Sequence, residues 1–297
     1  MPSLRVLFLI GSSAACLTLL SPFAWAKSVK CRAAPQKIIS LSLASDEIVF
    51  ELLGESGRNR IAGLSTSSAS PIYSNISNSV ASITLFGTDL ETIVRARPDL
   101  VISASYNDAK IKTRLEQAGI CVKELAQFAR LADISNNIEM IGSWISKENE
   151  AKSLAASLRK SVAETSTAIA KTTPVQVFGY VDGYFVAGRE TLFDDIVRAS
   201  GGENVTSSLF SGWKKTNAES LIKLKPDIII ATDEHGGAAK ILENLERNAS
   251  TKHFPAVKNK KIIIVPAKSL VSVSQHVAKA IESLRLEFSK HEPKKTP

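Results

Sequence analysis

Thr88-Asp-Leu-Glu-Thr-Ile-Val-Arg-Ala-Arg-Pro-Asp-Leu-Val-Ile-Ser103 matches Thr216-Asn-Ala-Glu-Ser-Leu-Ile-Lys-Leu-Lys-Pro-Asp-Ile-Ile-Ile-Ala231 at a constant offset of 128 residues. Threonine, glutamate, proline and aspartate recur at the same places, and the aliphatic and basic positions recur by type. Each copy reads as a polar cap, a short helix, a basic pair, Pro-Asp and a buried strand. Chance composition does not readily yield such a register, so the repeat predicts two lobes of related architecture.

Outward from the first copy, strands and helices alternate. Lys37–Ser42 reads as a strand, and Ser45 as the cap of a helix through Glu47 to Leu53 that Gly54 and Gly57 close. Arg60–Leu64 and Cys121–Leu125 are further strands, Lys110–Ala118 a helix, and the Ser/Asn-rich stretch Ser65–Ser79 a surface loop. Around the second copy, Val175–Gly179 and Tyr184–Ala187 flank an Asp182-Gly183 turn. Thr191–Ser200 reads as a helix, Ile228–Ala231 and Ile262–Val265 as strands, and Gln275–Ser289 as a last helix. Between the halves, Ile134, Ile138, Ile141 and Ile145 keep helical spacing. Leu154, Leu158 and Val162 continue it, and no glycine or proline interrupts Ser143–Thr173. The pattern predicts one long helix from about Asp133 to Lys171, straight or with a single bend. The predicted fold is therefore α/β: lobes 27–132 and 174–289 with mainly parallel central sheets, joined by one long helix within 133–173. A ligand cleft lies between the lobes, and a charged tail follows at 290–297.

Composition limits the function. At 297 residues, 44% hydrophobic and 22% charged, the chain can bury a sizeable core. A formal charge of +8 permits anionic partners, but only 6% of residues are aromatic and the basic residues are scattered, so no nucleic-acid partner is expected. Met1–Ala26 reads as a secretory signal (residues 1–26): Arg5, an apolar stretch, then Ala24-Trp25-Ala26 as a cleavage box. This predicts a periplasmic protein, with a lipoprotein signal ending at Cys16 as the alternative. Cys31 and Cys121 remain in an oxidising compartment, where they form either a disulfide or two buried thiols.

Catalytic machinery is missing from the sequence. The glycines of Gly179–Gly188 fit neither a dinucleotide fingerprint nor a phosphate loop. Asp194 and Asp195 read as helix residues, His235 and His253 as turn residues, and no Gly-x-Ser-x-Gly is present. No catalytic residue, metal site or cofactor is expected. A binding cleft instead calls for aromatic walls, for which Trp213, Tyr73, Phe86, Tyr180, Tyr184, Phe185 and Phe210 are candidates, with His276 at the start of the last helix.

Several stretches resemble the class III periplasmic binding proteins of ABC transporters, a family that takes up cobalamin, haem and ferric siderophores. They are Lys37–Gly54, Leu90-Glu91 through Pro98–Ile102, Phe185–Thr191, Gly201–Asn204 and Phe254–Asn259. The similarity runs over about 37–289 and is closest to the cobalamin-binding members, in which an aromatic matching Trp213 lies near the corrin. The resemblance implies two lobes bridged by one long helix. It also implies an ABC permease with its ATPase as partners, docked through one glutamate on each lobe at positions matching Glu91 and Glu219. A monomer that captures a corrinoid is expected. The alternatives are haem, with Tyr73, Tyr184, His235 or His276 as axial ligand, and a ferric siderophore held by Lys214, Lys215, Arg189 or Lys268.

Overall fold

The computed structural model describes residues 29–169, 173–181 and 185–291. The signal segment with Cys16, the Asp182-Gly183 turn with Tyr184, and residues 292–297 of the tail lie outside the described residues.

The first lobe holds β1 (Ile38–Ser40), α1 (Leu43–Gly57), β2 (Ile61–Ser65), β3 (Leu85–Phe86), α2 (Leu90–Ala96), β4 (Leu100–Ala104), α3 (Ala109–Gln117) and β5 (Val122–Leu125). Its five strands are all parallel, in the order β3-β2-β1-β4-β5. Two helices follow, α4 (Leu131–Trp144) and α5 (Glu148–Ile169). The second lobe holds β6 (Val175–Gly179), β7 (Phe185–Ala187), α6 (Leu192–Ala199), β8 (Gly202–Asn204), β9 (Trp213–Lys215) and α7 (Ala218–Ile222). It continues with β10 (Ile228–Thr232), α8 (Gly237–Arg247), α9 (Pro255–Lys258), β11 (Ile262–Val265), α10 (Ala267–Leu270) and α11 (Val277–Ser289). Its main sheet is parallel in the order β11-β10-β6-β8, and β7 pairs antiparallel with β9 as a separate ribbon.

The repeat does the same structural work twice. The Asp99 carboxylate accepts from the backbone N–H of Gln36 and Lys37 at 2.8 and 3.1 Å, ahead of β1. The Asp227 carboxylate accepts from the N–H of Gln176 at 3.0 Å, in β6. Each Pro-Asp thus ties the start of its own strand to the neighbouring one. Asp89 and Asn217 cap α2 and α7, accepting from the N–H of Glu91 and Thr92 and from that of Ser220. At α1 the cap is Ser42, three residues before Ser45, whose N–H it accepts.

The connection differs from one continuous strut. The Ile145 carbonyl accepts from Arg60 Nη2 at 2.7 Å, Ser146 turns to φ +55°, and its hydroxyl donates to the Ala33 carbonyl. The chain then reverses. Glu139 and Arg159 form an ion pair at 2.8 Å, although twenty residues of one straight helix span about 30 Å. A Cβ on Gly142 would stand 2.2 Å from that of Ala151, so a glycine is required where the helices cross. The bridge is a helical hairpin in which α4 packs on α1 and α5 on α6 and α11. One apolar core runs from Ile38 and Leu53, through Ile138 and Leu158, to Ile196 and Leu284. Shared packing of that kind resists large lobe rotation.

Cys31 and Cys121 are bonded, with Cα atoms 5.1 Å apart. They meet although β4 lies between β1 and β5. Cys31 belongs to the segment that leads into β1, and Arg32 pairs with Asp99 at the start of β4 at 3.3 Å, which carries that segment across the strand ends.

Candidate functional site

Parallel α/β sheets present loops at the carboxyl ends of their strands, and ligands gather there. In the second lobe those ends form a cavity of about 550 Å³. Tyr180 and Val181 continue β6 into it, and Thr232, Glu234 and His235 continue β10. The antiparallel ribbon supplies Phe185 and Trp213, whose rings stack at 5.5 Å with only 14° between their planes. Register explains this platform: Ala187 faces Trp213 and Phe185 faces Lys215, so the two aromatics are diagonal neighbours on one face. Both are nearly half exposed, an arrangement with no use in core packing. Phe128, between β5 and α4, and Val271 and Val273, before α11, complete the apolar wall.

Polar groups in the cavity are few. Glu234 accepts from the Thr232 hydroxyl at 3.1 Å and lies 3.6 Å from His235 Nε2. The His235 ring meets that of Tyr180 edge-on at 5.7 Å. From the other lobe, the Tyr73 phenol comes up to the Glu234 carboxylate, whose presence holds the phenol above its ordinary pKa. Among the described residues, no lysine or arginine lines the cavity.

Trp213, Tyr180, Phe185 and His235 therefore share one cavity, and Tyr73 reaches its edge through Glu234. Phe86 does not join them: it is buried with Ile39, Ile93 and Val101, its ring filling the space a Cβ on Gly63 would need. Phe210 carries the Lys214 ammonium over its ring at 5.5 Å and is absent from the lining. His276 lies beside Gln275 at the lobe junction, also outside the lining, and burial pushes its imidazole below the usual range. Phe128, Glu234 and Val273 were not expected from sequence. Each follows a strand or short-helix end, and that position is the one signal that marks them.

Asp194 and Asp195 are structural. Asp194 pairs with Arg198 at 3.0 Å, and Asp195 accepts from Arg130 Nε at 2.9 Å and the Leu131 N–H at 3.1 Å, fastening α4 to α6. His253 binds the Ile222 carbonyl at 2.7 Å. Among the described residues no cluster of His, Cys, Asp or Glu could hold a metal, and no helix is long and apolar enough to cross a membrane. Glu91 and Glu219 are exposed, and neither carboxylate forms an ion pair or hydrogen bond among the described residues.

One buried carboxylate lies under the first lobe's strand ends. Asp46 is fully buried; its Oδ2 accepts from the Ser65 N–H and from the hydroxyls of Ser65 and Ser68. Burial pushes its pKa up to about 6, against those hydrogen bonds. The folded state then holds a proton that the unfolded chain has released between about pH 4 and 6. Stability contributed by this site is highest below pH 4 and falls as pH rises through that window, by at most about 3 kcal/mol. Asp46→Asn keeps an acceptor for the serines and is expected to flatten this decline in urea midpoints. An unchanged difference between variant and parent at pH 4 and pH 7 contradicts the assignment.

A profile described as periplasmic binding protein matches residues 38–269. An ABC transporter substrate-binding lipoprotein of Bacillus subtilis (strain 168) is 25% identical over 268 residues, 87% of this chain and 81% of that one. A high-affinity heme uptake system protein of Staphylococcus aureus (strain MRSA252) is 26% identical over 182 residues, 59% of this chain and 62% of that one. A vitamin B12-binding protein of Photorhabdus laumondii is 27% identical over 218 residues, 71% and 76% of the two chains. The crystal structure of the periplasmic heme-binding protein HutB of Vibrio cholerae superimposes with a TM-score of 0.73 at 18% identity. It covers 85% of this chain and 98% of its own, and so shares the fold.

Proposed function

The chain belongs to the periplasmic binding protein family, and from that premise we propose that its cargo is a flat tetrapyrrole, haem before a corrinoid. The family is a non-catalytic solute-binding class that serves ABC importers, so capture and release need no covalent step. The observation that carries the ligand reading is the cavity wall. The Phe185–Trp213 stack offers an aromatic platform, apolar side chains surround it, and among the described residues no lysine or arginine lines it. An anionic ferric siderophore entering such a wall loses its hydration without a counter-charge. A flat ring with a cationic metal centre instead gains aromatic contact and meets Glu234 and His235. The haem uptake relative supports this order of preference. The largely apolar wall and the B12-binding relative support a corrinoid as the second reading.

Among the axial candidates, His235 has the strongest support because it lines the cavity and has a carboxylate beside it. The Glu234 carboxylate holds the Tyr73 phenol above its ordinary pKa, which disfavours a phenolate ligand. Export after cleavage at Ala26, and docking through Glu91 and Glu219, complete the proposal; both carboxylates are exposed, and Asp89 and Asn217 already cap their helices.

Titrating the mature protein with haemin, cyanocobalamin and a panel of ferric siderophores tests the reading. Haemin is expected to shift its Soret band and quench tryptophan fluorescence. Trp213→Ala is expected to weaken binding about ten-fold or more, and His235→Ala to alter the Soret position. Binding of cyanocobalamin with no haemin response selects the second reading, and binding of a siderophore alone rejects both.

A further inference from the structure

Glu47 stands in the second turn of α1 and is 1% exposed, yet no cation pairs with it among the described residues. Its carboxyl group is held by four hydrogen bonds shared between the lobes. Oε1 accepts from the Asn75 backbone N–H at 2.7 Å and from Asn75 Nδ2 at 3.0 Å. Oε2 accepts from the hydroxyls of Ser272 at 3.1 Å and Ser274 at 2.5 Å, both nearly inaccessible. Around this centre, Asn75 Nδ2 also donates to the Lys268 carbonyl at 2.7 Å, and Gln275 Nε2 to the Glu47 carbonyl at 3.3 Å.

These bonds bear on the cavity because of alternation. Val271 and Val273 face it, while Ser272 and Ser274, the residues after each, turn the other way onto Glu47. On the first lobe, Asn75 lies two residues from Tyr73, which crosses to Glu234. One buried carboxylate therefore holds the back of a cleft wall from each lobe. A hydrophobic pair in its place could pack the lobes together, but it would not bind the two hydroxyls and the backbone N–H at fixed separations.

We propose that Glu47 is a positioning residue for ligand binding: it sets the spacing of the Tyr73 loop and the Val271–Val273 wall across the cleft. The inference rests on the reading that this cavity is the ligand site. Glu47→Gln replaces one accepting oxygen with a donor that must face either the serines or Asn75. Removing hydrogen bonds to a buried carboxyl group loosens what they hold by about ten-fold or more.

Hydrogen–deuterium exchange on the ligand-free mature protein tests the spacing directly. Glu47→Gln is expected to speed exchange about ten-fold or more in peptides covering 70–76 and 268–276, with β4 unchanged. Ser272→Ala/Ser274→Ala, the safer variant if Glu47→Gln fails to fold, is expected to speed exchange in 268–276. With haemin bound, both variants are expected to release it faster while the Soret maximum stays in place, and combining them is expected to add little to Glu47→Gln alone. Unchanged exchange in 268–276, or an unchanged haemin off-rate beside faster exchange, overturns the proposal. If the parent protein binds cyanocobalamin and not haemin, the same off-rate comparison is made with cyanocobalamin; if it binds neither, the reading of the cavity as a tetrapyrrole site fails and the role of Glu47 in ligand binding falls with it, whatever the exchange shows.

Discussion

Replacing Cys31 and Cys121 together by serine is expected to lower the unfolding free energy by about 4–5 kcal/mol on the chain-entropy estimate. The bond joins residues 90 apart, so in the unfolded chain it closes a loop containing nearly the whole first lobe. In the folded protein it anchors the lead segment of β1 to the start of β5, next to the Arg32–Asp99 pair. Cys121 is buried, so serine also places two hydroxyls where the sulfur atoms met, one of them inside the core. Much of a typical stability of about 5–15 kcal/mol is at stake. The expected result is a large fall in the urea midpoint, with most of that fall also produced by reducing the parent protein, which loses the bond but buries no hydroxyl. The lobes share a core across the hairpin, and for that reason both are expected to unfold together. Equal midpoints for oxidised and reduced protein contradict the estimate, and an early transition confined to the first lobe contradicts the shared-core argument.

Reversing both charges, Glu91→Arg with Glu219→Arg, is expected to abolish import while leaving the affinity for soluble ligand within about two-fold. Both carboxylates are exposed on the first turns of α2 and α7, away from the cavity lining. A docked complex that desolvates a carboxylate opposite an arginine loses about 3–5 kcal/mol when one partner is removed, and reversal adds like-charge repulsion. Two such sites together approach the roughly 8 kcal/mol of a micromolar complex. The local cost to each helix, an arginine against the dipole at its first turn, is about 0.3–1 kcal/mol, too small to unfold a lobe. The comparison requires uptake by cells or proteoliposomes beside a soluble titration of the same variant. Normal uptake rejects the docking role, and lost affinity in solution shows that the glutamates act on the cavity instead.

Individual residues show how far local sequence reaches. The aromatic platform was half legible: Trp213 follows Ser211-Gly212 and precedes a capped helix, so it stood out as an exposed aromatic. Phe86 has the same sequence character, but its ring lies in the core, in the space left by Gly63, its diagonal neighbour on β2. Glu234 and Tyr73 lie 161 residues apart, and nothing local to either implies that they meet across a cleft. Ser65–Ser79 read as a surface loop because it carries few apolar residues. In the fold, Ser68, Ser74 and Ile76 are buried: Asp46 holds Ser68, Glu47 holds Asn75, and Ile76 packs into the apolar core that the lobes share.

The two related lobes, their parallel strands and the caps of α2 and α7 follow from the chain alone. They depend on hydrophobic spacing and on side chains that satisfy backbone groups a few residues away, and such signals repeat wherever the local pattern repeats. The reversal at Ser146 does not follow. With no glycine or proline there, the isoleucine spacing runs straight through it, and only the acidic first turn of α5 at Glu148 and Glu150 marks a new start. It takes Arg60 on the Ile145 carbonyl and Ala33 on the Ser146 hydroxyl to end one helix and fold the next against it. Those partners are distant in sequence, as are Ser272 and Ser274 for Glu47. Such contacts exist only once the chain has closed on itself, so the bridge, the cavity and the spacing across it belong to the tertiary structure.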